Sequence, residues 1–293
     1  MANLKEIRSR ISSVSSTRQI TNAMKMVAAA KLRKAQDAIT QLRPYADKLN
    51  EILFNVGSSV NLINNEYGEH REANNILIVL FTSNKGLCGS FNMNVIKQAI
   101  HMAENKYSKQ LREEKIDFMA VGKKGYDYLR LKKYRVVAEE NFLLDKPNFD
   151  HASTVVEMLM QRFVKKQYDR IFLVYNQFKN AGSQILTEEQ FLPIIEEKKE
   201  NKKTYEYDYI FEPDKEYIVQ ILIPKSLKLK FYRVLLDSNA AEHGARMTAM
   251  HQATDNASDL IRDLSLQYNK ARQASITKEI LEIVSGAEAL KQD

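Results

Sequence analysis

The sequence is poor in the two residues that interrupt helices. It has nine glycines and five prolines among 293 residues. Because both residues destabilise helix interiors, their scarcity favours long helices. The scarcity is greatest near the ends of the chain. Residues 3–56 contain no glycine and one proline, Pro44, and residues 225–285 contain one glycine, Gly244, and no proline.

Cysteines and long apolar runs are also scarce. Cys88 is the only cysteine, so no disulfide or dithiol switch can form within the chain, which fits a reducing compartment. The longest apolar run is Ile76–Phe81, which has the length of a strand. It is far shorter than the roughly 18 residues that would suggest a membrane span.

The positive charge is concentrated at the start of the chain. Residues 1–34 hold eight Lys or Arg and one acid, which accounts for the whole formal charge of +7. A basic start is typical of an organellar transit peptide or of a nucleic-acid binder. The first interpretation is disfavoured because the stretch continues without a break into a longer helical pattern. The second is disfavoured because these residues include no aromatic and no recognised nucleic-acid motif.

Apolar residues at alternating spacings of three and four occupy both ends. In residues 1–57 they are Leu4, Ile7, Ile11, Val14, Leu32, Ala35, Ile39, Leu42, Ala46, Leu49, Leu53 and Val56. In residues 217–290 they form two series: Met250, Ala253, Ala257, Leu260 and Leu264, then Ile276, Ile280, Ile283, Ala287 and Leu290. The spacing predicts two long helices that form a coiled coil. The pattern is interrupted in two small, polar and basic stretches, Ser15–Lys31 and Gln267–Ser275.

The middle of the chain alternates between strand and helix patterns. Strands are predicted at Ile76–Phe81, Ile116–Val121, Tyr134–Glu139, Arg170–Tyr175 and Gln184–Phe191, and helices at Asn94–Gln110, Lys124–Leu131 and His151–Gln167. Such alternation predicts a mostly parallel sheet with helices on its faces. We therefore expect an α/β fold in which residues 74–195 form a Rossmann-like domain inserted between the end helices. Residues 196–216 connect this domain to the second helix.

One stretch, Thr82–Ser90 (TSNKGLCGS), could be a phosphate-binding turn between a strand and a helix. A Walker loop needs a lysine after its second glycine, whereas Lys85 precedes Gly86 and Gly89. The dinucleotide fingerprint needs a third glycine, which is missing. The alternative is a tight turn in which glycine provides unusual dihedral angles or close packing.

No catalytic or metal-binding pattern stands out. A nucleophilic cysteine needs a base beside it, and the five histidines are scattered along the chain. No spacing of Cys, His and acidic residues is typical of a metal site. We therefore expect Cys88 to be a small buried packing residue, and we expect no cofactor or metal.

Three stretches together resemble one known family. They are Lys5–Gln36 (KEIRSRISSVSSTRQITNAMKMVAAAKLRKAQ), the Thr82–Asn92 turn (TSNKGLCGSFN) and Ala245–Leu290, which begins ARMTAMHQATDNASDL. They are similar to the corresponding parts of the gamma subunit of the rotary ATP synthase, in the same order and with the same spacing. The resemblance extends over essentially the whole chain.

The resemblance implies a central rotor shaft without catalytic activity of its own. Its end helices would form an antiparallel left-handed coiled coil inside a threefold ring of alternating alpha and beta subunits. The inserted domain would meet the epsilon subunit and the membrane proteolipid ring, without inserting into lipid. The absence of a two-cysteine regulatory insertion and of a transit segment predicts a bacterial form, peripheral on the cytoplasmic face of the inner membrane.

The resemblance also implies which residues couple rotation to catalysis. Matching the motifs places the contacts to the catalytic subunits at Met24, Arg246, Gln273, Thr277, Glu279 and Glu282. Contacts at the foot of the shaft are expected at Arg43, Tyr45, Tyr205, Tyr207 and Glu212. Two other functions remain as alternatives: an enzyme that binds a nucleotide at the Gly86–Gly89 turn, and a basic coiled-coil protein that binds nucleic acid.

Overall fold

Two helices of unusual length begin and end the fold. The structure is a computed structural model that describes residues 4–57, 66–69, 71–145, 147–194 and 215–289. Helix α1 is Leu4–Gly57, and the last helix, α7, is Lys215–Ala289. Contacts divide the chain into two compact units: Met1–Val27 with Met247–Asp293, and Ala28–Arg246. We call them the end unit and the central unit. The predicted division at residues 57, 74, 195 and 217 stays a prediction.

The central unit contains one five-stranded sheet in the order β3-β2-β1-β4-β5. Its elements between the long helices are β1 (Ile76–Phe81), α2 (Phe91–His101), a π-helical turn (Met102–Lys106), α3 (Ser108–Arg112), β2 (Ile116–Val121), α4 (Lys123–Leu131), β3 (Val136–Glu139), α5 (Phe142–Asp145), α6 (Phe149–Val164), β4 (Arg170–Asn180) and β5 (Ser183–Leu192). Strands β1 to β4 are parallel and β5 is antiparallel to β4. The predicted α/β fold with a mostly parallel sheet is confirmed.

Both faces of the sheet are covered, because alternate residues of each central strand point to opposite sides. On one face, Ile78 and Leu80 of β1 pack with Val95 of α2 and Leu129 of α4. On the other face, Val79 of β1 packs in a cluster with residues of α6 and α7. Burial on both sides explains why β1 and β2 consist of residues that are buried throughout.

Helix α7 contributes directly to the core of the central unit. The ring of Phe231 lies 5.4 Å from that of Phe81 in β1 and 6.1 Å from that of Phe191 in β5. Ile223, Leu227, Val234 and Leu235 belong to the same cluster. The part of α7 that the sequence predicts only as shaft therefore also packs against one face of the sheet.

Burial along α1 recurs every seven residues without interruption. Positions in this series are Ile7, Val14, Thr21, Ala28, Ala35, Leu42 and Leu49, all of which are buried or half-buried. The sequence pattern loses this seam between Ser15 and Lys31, because Thr21 and Ala28 are small. The structure corrects this expectation: the seam continues through that stretch with a threonine and an alanine. A strict repeat of seven is the spacing of a left-handed coiled coil.

In the end unit, α1 and α7 pack antiparallel. The hydroxyl groups of Thr21 and Thr254 lie 2.9 Å apart, and nearer the start of α1, Val14 lines a shared groove with Leu264. On α7 the buried positions are Met250, Ala257 and Leu264, again seven apart. Leu260, which the sequence places in the seam, is instead 47% exposed.

The last part of α7 has no cover from α1. Every described side chain from Ile276 to Ala287 is exposed, and the large apolar ones among them (Ile276, Ile280, Leu281, Ile283 and Val284) are 48–71% exposed. The prediction that Ile276, Ile280, Ile283 and Ala287 form a second seam is therefore wrong, and Leu290, the last member of that series, lies outside the described residues. Burial in the seam ends near Ala271 and Ser275, because α1 begins only at Leu4.

Three connections from helix to strand share one backbone pattern. Each has a residue with positive φ just after the helix: Glu114 (54°), Lys133 (62°) and Lys166 (59°). In each, the next amide donates to a carbonyl five residues back: Lys115 to Gln110, Tyr134 to Leu129 and Gln167 to Arg162. This is the hydrogen-bond pattern of a Schellman helix end. The three turns precede the parallel strands β2, β3 and β4, so they lie at the same edge of the sheet.

Candidate functional site

The turn after β1 is held by its own polar side chains. The hydroxyl of Ser83 donates to the carbonyl of Lys85 at 2.6 Å, and the side-chain oxygen of Asn92 accepts from the Ser83 amide at 2.8 Å. Gly89 has a φ of +60°, as expected for a glycine in a tight turn. Gly86 differs, because its φ lies outside the left-handed region; a Cβ at either glycine would meet nothing within 4 Å.

Helix α7 closes the crevice above this turn. In an open α/β sheet ligands bind outside the carboxyl ends of the strands where the strand order reverses, which here lies between β1 and β4. Arg246 of α7 donates to the carbonyls of Lys85 at 2.9 Å and Gly86 at 3.4 Å. Ala241 packs against Cys88 and Phe91. The turn therefore presents carbonyl oxygens to a cation, which is the opposite polarity from a phosphate cradle.

Arg246 belongs to a buried polar cluster on α7. Its guanidinium pairs with the carboxylate of Glu242 at 2.6 Å, and both side chains are about one-tenth exposed (11% and 9%). The Nδ1 atom of His243 lies 3.4 Å from the same guanidinium. Burial, and then the charges of Arg246 and Lys31, lower the pKa of His243 to about 4. The imidazole is therefore neutral at neutral pH.

Cys88 is buried beside the same cluster. Its sulfur accepts from the Asn92 side chain at 3.2 Å and lies 3.6 Å from the Ser83 hydroxyl. Burial raises the pKa of the thiol above its usual value. A raised pKa suppresses the thiolate that nucleophilic or redox chemistry needs. The predicted packing role of Cys88 agrees with its exposure of 1%.

The predicted coupling residues fall into two groups. Gln273, Thr277, Glu279 and Glu282 are exposed on the uncovered part of α7, and Met24 is half-buried on α1. Among these five residues, the described part of the chain shows one ion pair, which joins Glu282 to Lys278 at 3.5 Å. Arg246 stands apart, because it is 9% exposed and bonded within the central unit.

The predicted foot residues are only partly described. Arg43 and Tyr45 are exposed on α1, and the ammonium group of Lys225 lies 5.9 Å from the centre of the Tyr45 ring. Tyr205, Tyr207 and Glu212 lie outside the described residues.

Helix α7 also buries a carboxyl group that the sequence pattern does not indicate as functional. Asp237 on α7 is 7% exposed, and burial raises its pKa to about 6, against the opposing effect of Arg233 and Arg43. Glu189 also raises that pKa, and it pairs with Lys230 at 2.9 Å. A signal could have been found in the sequence, since Asp237 sits in the apolar series of α7 next to Leu235 and Leu236.

The described residues form neither a metal site nor a membrane span. No group of three or more His, Cys, Asp or Glu side chains among them is placed to hold a metal ion. No described helix combines the length and apolar character needed to cross a membrane.

Comparison with known proteins decides the family. A family model described as ATP synthase matches residues 3–290. The ATP synthase gamma chain of Christiangramia forsetii is 56% identical over 291 residues, covering 99% of both chains. That of Flavobacterium psychrophilum is 55% identical over 292 residues, covering 99% of this chain and all of the other. The chain belongs to the ATP synthase gamma family. The predicted resemblance, including its bacterial type, is confirmed.

Solved structures of ATP synthases contain chains of the same fold. The central stalk chain of the Tetrahymena thermophila mitochondrial ATP synthase matches with a TM-score of 0.58 and 25% identity, covering 80% of this chain and 99% of that one. A rotor chain of the Euglena gracilis mitochondrial ATP synthase matches with a TM-score of 0.66 and 21% identity, covering 93% and 98%. The predicted combination of long terminal helices and an α/β sheet domain is thus shared with these chains.

Proposed function

We propose that this gamma-family chain is the central rotor of an ATP synthase and couples ion flow to ATP synthesis without catalysing a reaction itself. The observation that carries the proposal is the uncovered end of α7. In the described part of the end unit, its large apolar side chains from Ile276 to Val284 have no partner helix. An apolar helix end of this kind is stabilised when a partner covers it.

The ring of alpha and beta subunits is the partner that we propose for this end. Full burial of one Leu or Ile side chain is worth about 1.5–3 kcal/mol. The apolar residues here are interspersed with polar ones such as Gln273, Thr277 and Glu279, so each face of the helix offers limited apolar area. A surface of this mixed kind holds the shaft in place without binding one orientation strongly.

The coupling contacts are proposed at the positions that the family resemblance implies. Gln273 and Thr277 would donate or accept hydrogen bonds that stabilise a catalytic subunit in one state, and Glu279 and Glu282 would extend that surface. Met24 would lie beside an acidic loop of a catalytic subunit. The many basic residues of α1 would attract such loops with moderate, screened energies.

Arg246 would contribute to coupling by a different route. Its bonds to the carbonyls of Lys85 and Gly86 tie α7 to the sheet of the central unit. We propose that this tie helps the inserted domain to turn with the shaft. A direct contact with a catalytic subunit remains a proposal for the small exposed part of the side chain.

The foot of the rotor would be formed by the ends of α1 and α7 nearest the inserted domain. Arg43, Tyr45, Tyr205, Tyr207 and Glu212 are proposed to meet the epsilon subunit and the proteolipid ring. The chain would then be a peripheral protein on the cytoplasmic face of the inner membrane. We keep the division into shaft (1–57 and 217–290), inserted domain (74–195) and connection (196–216) for this mechanical description.

A noncatalytic role is supported by the chemistry of the turn after β1. Its only thiol, Cys88, has a raised pKa, and its carbonyls are taken by Arg246. The alternative of nucleotide binding there would require α7 to move away. The nucleic-acid alternative gains no support from the structure, because Ile20, Met26 and Val27 are exposed apolar residues on the basic part of α1.

Co-purification tests the proposed function. We expect a tagged chain, produced together with bacterial alpha and beta subunits, to elute with three copies of each, and the complex to hydrolyse ATP. The isolated chain should bind no ATP in equilibrium dialysis. Elution of the folded chain alone would contradict the proposal. So would stoichiometric binding of ATP that is lost in Gly86→Val, since open space at Gly86 lets that variant fold.

A further inference from the structure

Helix α7 is buried on every side over about three turns. Every residue from Val234 to Gly244 is buried, and a helix that is buried all round is usually apolar all round. This stretch nevertheless holds five polar or charged residues: Asp237, Ser238, Asn239, Glu242 and His243. Burial of a polar side chain costs free energy unless it is hydrogen-bonded. Packing alone would therefore favour apolar residues at these positions.

The cover of this stretch comes from parts of the chain that lie far apart in sequence. The side chain of Asn239 donates to the carbonyl of Leu144 in α5 at 3.1 Å. Ala241 packs against Cys88 in the turn after β1 and against Phe91 at the start of α2. Helix α7 is therefore held by the elements that follow β3 and β1, at the carboxyl edge of the sheet.

The hairpin of β4 and β5 approaches α7 closely at Gly244. A Cβ on this glycine would lie 3.1 Å from the carbonyl oxygen of Ala181, between the two strands, and 3.3 Å from its Cα. Because successive residues of a helix point about 100° apart, Gly244 and Ala241 point away from Asn239 by about 140° and 160°. The helix is therefore covered from opposite sides. We call the covering residues Cys88, Phe91, Leu144 and Ala181 the collar.

Two hydrogen bonds fix the orientation of α7 relative to the sheet. One joins Asn239 to Leu144 at 3.1 Å, and the other joins Arg246 to the carbonyl of Lys85 at 2.9 Å. The two donor residues are 6% and 9% exposed. Apolar contact has no preferred direction, whereas a hydrogen bond weakens steeply when its angle changes. Rotation of α7 about its own axis would break both bonds and leave buried polar groups unpaired.

We propose that the collar makes α7 and the inserted domain turn as one body, with Asn239 and Gly244 as its positioning residues. Asn239 resists rotation of the helix within the collar, and Gly244 allows the hairpin to close the opposite side. Both residues are buried, so they act through the joint and not through contact with a catalytic subunit. The inference rests on the proposed function, because torque acts on this joint only in a rotor.

The torsional stiffness of the assembled complex tests this proposal. A bead attached to the variant Lys97→Cys on α2 reports the angle of the inserted domain, while the alpha and beta subunits are fixed to a surface and a non-hydrolysable ATP analogue stops rotation. Asn239→Ala should increase the variance of the bead's angle roughly twofold, because one of two directional bonds is lost. Gly244→Leu should increase that variance as well, since the new side chain displaces Ala181.

Two control variants separate the joint from general stability. Asn256→Ala makes the same chemical change as Asn239→Ala at an exposed position of α7 outside the collar, and it should leave the variance unchanged. Val95→Ala removes buried contacts on the sheet face away from α7. It should lower the melting temperature of the chain and also leave the variance unchanged.

The result for Asn239→Ala decides the proposal even if Gly244→Leu does not fold. Alanine is smaller than asparagine and favours helix, so this variant should fold and assemble. An unchanged variance in Asn239→Ala would overturn the proposal, and so would an equal rise in Val95→Ala. Failure of the proposed function has a different signature, because the bead on the otherwise unchanged chain would then not rotate when ATP is supplied.

Discussion

A guanidinium nitrogen of Arg246 donates to the main-chain carbonyl of Lys85 at 2.9 Å, across 161 residues of sequence. The same side chain pairs with Glu242 one helical turn earlier on α7. The first bond joins the helix to the sheet, and the second places opposite charges together in a buried position. Together they make this point the best-defined mechanical link between α7 and the turn after β1.

Removing Arg246 should destabilise the central unit strongly. Arg246→Met removes the guanidinium that pairs with the buried carboxylate of Glu242, and the loss of one member of a buried pair costs about 3–5 kcal/mol. The double variant Arg246→Met, Glu242→Met should recover a large part of that loss. Urea denaturation of the isolated chain measures both values. If the double variant is no more stable than Arg246→Met, the ion pair is not the origin of the effect.

Gly122 should be indispensable, whereas Gly86 should not. A Cβ on Gly122 would lie 2.2 Å from the carbonyl oxygen of Thr82, and its φ is +113°. Gly122→Ala should therefore cost more than about 3 kcal/mol or prevent folding. Gly86→Ala is the control, because a Cβ there meets nothing within 4 Å. Similar melting temperatures for the two variants would contradict the close approach of Gly122 to the backbone of Thr82.

Asp237 and His243 should oppose each other in the dependence of stability on pH. The pKa of Asp237 is raised to about 6. Between the unfolded pKa, near 4, and pH 6 the folded state therefore holds a proton that the unfolded state has lost. The contribution of Asp237 to the free energy of unfolding falls as pH rises through this range. The pKa of His243 is lowered to about 4. Its contribution is complete above the unfolded pKa, near 6.5, and is lost as pH falls towards 4.

In Asp237→Asn, the pH dependence of stability that arises from His243 should no longer be opposed by Asp237. Relative to the unchanged chain, its free energy of unfolding should rise by about 2–3 kcal/mol at neutral pH. That gain should shrink steadily from pH 6 to pH 4. Urea denaturation across this range gives the difference. A gain that does not vary with pH would show that Asp237 titrates in the folded chain as it does in the unfolded one.

The coiled coil illustrates what the sequence could and could not predict. Large aliphatic residues such as Ile7, Leu32 and Leu264 belong to the seam in the sequence pattern and are buried in the structure. Thr21 and Ala28 complete it in the structure, but nothing in a small residue's identity indicates burial. Leu260 is apolar and correctly spaced from Ala257, yet it lies at the border of the seam and is 47% exposed, because the repeat of seven passes through Met250, Ala257 and Leu264 instead.

The site shows a similar limit. The sequence indicates that the Gly86–Gly89 turn lacks a phosphate motif, and the structure agrees with that. The sequence does not indicate that Arg246 contacts Lys85, because a long-range contact of one side chain leaves no periodic pattern. The exposure of the α7 end also depends on where α1 begins, which spacing within α7 alone does not reveal.

Gln273→Leu should lower ATP hydrolysis by the assembled complex several-fold while leaving the isolated chain as stable as before. The side chain is exposed in the isolated chain, so any loss must arise from contacts made in the complex. Gln167→Leu makes the same chemical change at an exposed position before β4 and serves as the control. Equal turnover in the two variants would remove Gln273 from the coupling residues.

Rotation of the assembled complex tests the central claim most directly. Lys97 is exposed on α2, so a probe can be attached to the variant Lys97→Cys. The probe would report the motion of the inserted domain while the alpha and beta subunits are held on a surface. The proposed rotor predicts that ATP drives the probe round in one direction in threefold steps. Continued ATP hydrolysis with a probe that stays still or moves at random would contradict it.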